Sequence, residues 1–138
     1  MEITLKKTEG SFQFLADNKR VELPIIASPE LSGSEQGYRP MELLLVALGS
    51  CMAIDVMQIL EKQKQKVEQY ESKVFGQRAD SIPAIFESIT VEISVVGEVD
   101  EGKLKRAVNL SADKYCSVYK TLNPATKVEF KSYLNHGR

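Results

Sequence analysis

A run of twenty residues, Met41 to Leu60, is apolar on every face of the helix it would form, and this constrains everything around it. Pro40 stands at the first helical position, where its missing N–H removes no hydrogen bond and its fixed φ suits the helix. Glu42 follows in the first turn, where the helix dipole favours negative charge. A helix apolar all round must be enclosed, by protein or by lipid. The length suits a bilayer span. Against that stand Asp55, which costs about 2.5–3.5 kcal/mol at the centre of a span, and Gly49-Ser50, which lowers the hydropathy further. There is no basic n-region of the signal type, and strands are expected on both sides. The buried central helix of a soluble protein is therefore expected, with no membrane partner.

The flanking segments alternate with the period of two expected of strands. Glu2–Leu5 and Ser11–Leu15 are separated by the turn former Glu9-Gly10, and Asp17-Asn18 marks a second turn. Val21, Leu23, Ile25 and Ile26 suggest a third strand, confined by Pro24 to a sheet edge because proline has no N–H to give a ladder. Ser28 to Tyr38 is a polar loop. Beyond the helix, which Glu61–Lys66 ends, Tyr70, Ser72, Val74 and Gly76 share one face of a strand, with Val67 and Phe75 out of phase on the other. Ile85–Gly97 has the clearest alternation in the chain and should pair with the strand before it. After Asp100-Glu101-Gly102, the residues Leu104, Ala107, Val108, Ala112, Tyr115 and Cys116 approximate one apolar helical face, which runs to Asn123-Pro124. Thr126–Leu134 gives a last strand. The order βββ-α-ββ-α-β makes this an α+β protein.

The chain has 138 residues, the size of a single domain (1–138) that can bury a core without disulfides or metal. A formal charge of −1, with no basic stripe, excludes the electrostatic footprint of a nucleic-acid partner. The start, MEITLKKTEG, lacks the apolar stretch of a signal peptide, so a cytoplasmic protein is expected. In that reducing compartment two cysteines are reactive or simply buried rather than a permanent bridge. With His136 as the one histidine, a four-ligand thiol and imidazole zinc site cannot be assembled, and no metal is expected. His136 itself is expected to be solvated.

The chemistry-bearing candidates are Cys51 and Cys116. Each alone reads as a small buried hydrophobe at least as readily as a nucleophile. Asp55 lies four residues after Cys51, on the same helical face. It is either paired with an Arg or Lys at the floor of a site, or a buried carboxylate that caps backbone groups or bonds to a tyrosine. Tyr115 and Tyr119 are core or pocket-lining candidates.

Gly37-Tyr38-Arg39-Pro40-Met41-Glu42-Leu43-Leu44-Leu45-Val46-Ala47-Leu48-Gly49-Ser50-Cys51 resembles the first signature of the OsmC/Ohr family of thiol peroxidases. Lys114-Tyr115-Cys116-Ser117-Val118 is similar to the second, in which proline usually follows the cysteine. The resemblance includes the order of elements and so covers essentially the whole domain. It implies the OsmC-like fold, with the long buried helix at the centre of an intertwined homodimer. It further implies that Cys51 attacks organic hydroperoxides and that Cys116 resolves the resulting sulfenic acid as a disulfide. An external dithiol such as a lipoyl group restores the pair, and no bound cofactor is needed.

A nucleophilic thiol needs a nearby cation to favour the thiolate. In peroxidase members of the family an arginine from the N-terminal β-region serves, held by a glutamate directly after the helix-opening proline. Here that position is Met41 and the acid is Glu42, a rotation of about 100° around the helix. Arg20 and Arg39 are the arginines ahead of Cys51, and Arg39, beside the helix start, is the better candidate. The expected site is thus Cys51, Cys116, Glu42 and Arg39. The alternative is a non-catalytic OsmC-like protein that binds a hydrophobic ligand or senses redox state.

Overall fold

A computed structural model describes residues 1–136 of the chain. They form two compact units, residues 1–44 and the part from Leu45 on.

In the first unit, β1 (Thr4–Lys7), β2 (Gln13–Asp17) and β3 (Glu22–Ile26) make the expected antiparallel meander in the order β1-β2-β3. Thr4 lies opposite Asp17, and Gln13 opposite Ile26. Pro24 lies in the edge strand β3. Its carbonyl accepts the Tyr38 N–H at 3.0 Å, and Tyr38 in turn accepts the Ile26 N–H at 3.0 Å. The polar loop departs from expectation by containing a short helix, α1 (Pro29–Ser32). Ser28 precedes it, Pro29 opens it, and Gly33 closes it at φ 65°, a left-handed conformation glycine adopts without strain. Four residues are too few to show a helical period.

The helix α2 (Pro40–Lys62) begins where Pro40 and Glu42 require. Its buried residues Leu48, Met52, Val56 and Leu60 recur every four residues, a stripe rather than all-round burial. Val46, Ile54 and Met57 are exposed in the single chain, so the enclosure expected of the helix is only half met by its own chain. Gly49 lies against β4 (Lys66–Arg78), where a Cβ would stand 2.9 Å from Val74 Cγ2.

β4, β5 (Phe86–Glu98) and β6 (Lys127–Leu134) form the second sheet, with β5 central. β5 pairs with β4 as expected, antiparallel, and with β6 parallel. A strand-helix-strand crossover delivers a parallel partner, which is what the helical segment between β5 and β6 provides. Ile89, Val91, Ile93 and Val95 are fully buried on one face of β5, each contributing about 1.5–3 kcal/mol over exposure. The imperfect phase of β4 has a local cause. Between the pairs Val67–Gly97 and Gln69–Val96 the ladder slips by one residue, a β-bulge. The bulge returns Val67 to the half-buried face of Tyr70, Ser72 and Val74, correcting its expected placement, while Phe75 stays exposed on the other face.

The second long helix is interrupted. α3 (Glu101–Leu110) is capped by Asp100, whose carboxylate accepts the Lys103 N–H at 2.8 Å. Ser111–Tyr115 then widens into a π turn, and α4 (Ser117–Leu122) starts afresh. Cys116 therefore does not lie late in a helix, as its spacing suggested. It stands in extended backbone (φ −72°, ψ 99°) between two helices.

Candidate functional site

The site is built from two elements of the second unit. α2 carries Cys51 and Asp55 one turn apart, so both project from one face of a regular helix. Facing them, the π turn ends with the Cys116 N–H bonded to the Ser111 carbonyl at 2.8 Å, a span of five residues. Such wide turns often mark functional sites. This one sets Ser111 and Cys116 toward α2 and turns Tyr115 out to 50% exposure.

The Cys51 and Cys116 sulfurs and an Asp55 carboxylate oxygen lie within 4.8 Å of one another. Both cysteines are free thiols. Their surroundings differ, Cys51 being half-buried and Cys116 fully enclosed. Cys116 also caps α4, its sulfur accepting the Tyr119 N–H at 3.4 Å. Burial pushes the Cys116 thiol up to about 12, reinforced by its hydrogen bond to Cys51 and by the Asp55 charge, with the Tyr119 N–H opposing. Cys116 thus holds its proton at neutral pH.

Asp55 meets neither of its expected partners. Its carboxylate accepts the Ser111 hydroxyl at 2.8 Å, and the same hydroxyl lies 3.2 Å from Met52 Sδ. Ser111 is fully buried and was not anticipated. The signal was present: it falls seven residues after Leu104 on the apolar stripe of Ala107 and Val108, and a hydroxyl on a buried face requires a partner. Asp55 opens onto a pocket of about 300 Å³ lined also by Gln58, Ile59, Lys62, Leu110 and Tyr115. Tyr119 instead packs edge-on to Phe130 at 5.1 Å. His136, without an expected role, lies edge-on to Tyr133.

Glu42 and Arg39 are engaged with each other and their neighbours at the start of α2. The Glu42 carboxylate accepts the Arg39 backbone N–H at 2.9 Å, and the Arg39 carbonyl accepts the Leu43 N–H at 3.2 Å. Arg39 is therefore the N-cap and Glu42 the third residue of the helix, from which an acid reaches back to the cap. This gives the acid at 42 a capping role. The Arg39 charge bears on Glu30, whose carboxyl is held below its ordinary range first by the Ser28 hydroxyl and more weakly by Arg39.

An α+β chain with a long apolar helix, bearing one thiol, set against a second thiol at a helix break defines a class of two-cysteine proteins. The chain belongs to the OsmC-like protein family, whose model matches residues 33–131. It is 41% identical to protein YhfA of Escherichia coli (strain K12) over 98 residues, 70% of this chain and 73% of that one. A hypothetical protein from Aquifex aeolicus VF5 is 34% identical with a TM-score of 0.86, over 97% of this chain and 95% of that one. An organic hydroperoxide resistance protein OsmC from Legionella pneumophila superposes with a TM-score of 0.72 over 96% and 97% of the two chains. At 13% identity it shares the fold alone.

Proposed function

We propose that this protein is a thiol-dependent peroxidase that reduces organic hydroperoxides in the cytoplasm. The observation that carries this reading is the pair of free sulfurs within 4.8 Å, one reachable and one enclosed. The Cys51 sulfur attacks the outer peroxide oxygen, the O–O bond breaks, and the alcohol leaves with a proton, so Cys51 becomes a sulfenic acid. The Cys116 sulfur then displaces the hydroxyl as water and closes the disulfide. An external dithiol, such as a lipoyl group, supplies two electrons and two protons to restore both thiols. Arg39 and Glu42 stand at the head of the helix that carries Cys51, with Arg39 twelve residues or about 18 Å along the axis from it, so Arg39 is the candidate cation only if a partner's copy supplies it. A second copy of the chain would cover the open face of α2, where Ala53, Ile54, Met57 and Val67 line a groove. The homodimer is part of the proposal.

The reduced protein is expected to consume cumene hydroperoxide with dihydrolipoamide, and Cys51→Ser to abolish that turnover. Turnover by the parent no faster than by the mutant overturns the reading. It would leave the alternative of a non-catalytic redox sensor or binder of hydrophobic ligands, which one observation favours: the charged group set beside the two sulfurs is a carboxylate.

A further inference from the structure

We propose that Cys51, Asp55 and Cys116 form a binding site for a soft divalent cation of the zinc type. Three donor atoms, two sulfurs and a carboxylate oxygen, already lie within 4.8 Å of one another. Ligands around a tetrahedral zinc ion, with bonds of about 2.0–2.3 Å, stand roughly 3.5 Å apart, so closure needs a movement of about 1 Å. Cys51 and Asp55 supply two ligands one helical turn apart, the spacing by which a helix chelates a metal from one face. The third comes from extended backbone between two helices.

The positions around these donors suit a metal. Asp55 is oriented by the buried Ser111 hydroxyl at 2.8 Å, as the outer partners of metal ligands orient carboxylates. Asp55 also lines the pocket of about 300 Å³, a route by which an ion or small ligand can reach the carboxylate. Sulfur donors select zinc and its heavier congener over magnesium or calcium. On binding, two S–H bonds are lost, two metal–sulfur bonds form, and two protons pass to solvent. Two thiolates, one carboxylate and the dication then sum to a single negative charge. On the peroxidase reading, an occupied site holds both sulfurs and blocks attack on peroxide, although the metal site itself does not depend on that reading. Sequence spacing hid it because the third ligand is an aspartate, not a histidine or a cysteine.

The test uses the full-length, fully reduced protein titrated with Cd²⁺ alone, followed by the ultraviolet thiolate-to-cadmium charge-transfer band, with Mg²⁺ as the hard-cation control. One cadmium per chain with a two-thiolate band is expected, reduced to one thiolate in Cys116→Ser. Asp55→Asn keeps both thiols and a partner for Ser111, and is expected to weaken binding at least about tenfold. A one-thiolate band in the parent, or unchanged affinity in Asp55→Asn, overturns the proposal. Cadmium binding without peroxide turnover retains this site and removes the peroxidase. Turnover without a two-thiolate band does the reverse.

Discussion

The two helical segments that meet at the thiols are built on opposite plans. α2 runs unbroken for 23 residues and presents Cys51 and Asp55 at a fixed one-turn spacing. The segment after β5 is broken into α3, a π turn and α4, and Cys116 occupies the break. A regular helix holds its side chains to the register of its backbone. An interrupted one can change torsions at its break at the cost of the bonds that Cys116 itself makes, to the Ser111 carbonyl and from the Lys120 N–H. Joining two sulfurs that are within 4.8 Å requires closing to about 2.05 Å. The difference between the segments assigns that movement to the Cys116 side.

The largest expected effect tests the enclosed thiol. Its folded pKa is raised from the ordinary 9.0 to about 12, so above pH 9 the unfolded chain releases a proton that the folded chain retains. The stability tied to Cys116 is complete below pH 9 and lost progressively between pH 9 and about 12, on the order of a few kcal/mol. Urea unfolding of the reduced protein across that range should show a falling limb that is flatter in Cys116→Ala. An equal limb in both would place the loss elsewhere. Next comes the link between the two segments. Ser111→Ala leaves the Asp55 carboxylate without its hydroxyl and should cost about 1–3 kcal/mol by the urea midpoint. A change within error would mean that the two segments are held by apolar packing alone. The smallest effect concerns the head of the regular helix. Glu42→Gln removes a charge from its first turn and should lower stability by about 0.3–1 kcal/mol, less in high salt. Salt-independent loss would point to packing instead.

The same contrast decided what could be read in advance. α2 was legible because Pro40 and Glu42 mark its start and a long apolar run sustains it, and β5 because its alternation is unbroken over 13 residues. The break at Cys116 was not, since Leu104, Ala107, Val108 and Ala112 remain buried at helical spacing up to the π turn itself. One hint lay in the resemblance. The family's proline after the cysteine suits the first position of a new helix, and Ser117 stands there in this chain. Val67 was misplaced because one extra residue in a ladder inverts every side chain beyond it, and no local propensity announces where the slip occurs. The cysteines were recognisable as a pair. That Asp55 would pair with a serine 56 positions away is a long-range fact that one-dimensional periodicity cannot contain.

Gly49 bears on all of this through an atom it lacks. The sheet comes so near the helix there that a single added carbon would stand 2.9 Å from a Val74 methyl, closer than real carbons come. Val74 is β-branched and stiff about its first torsion, so the helix axis would have to lift away. Cys51 is two residues further on and rides on that axis. The altitude of one hydrogen-sized gap over a strand thus sets how deep a sulfur sits, which makes residue 49 a spacer for chemistry it never touches.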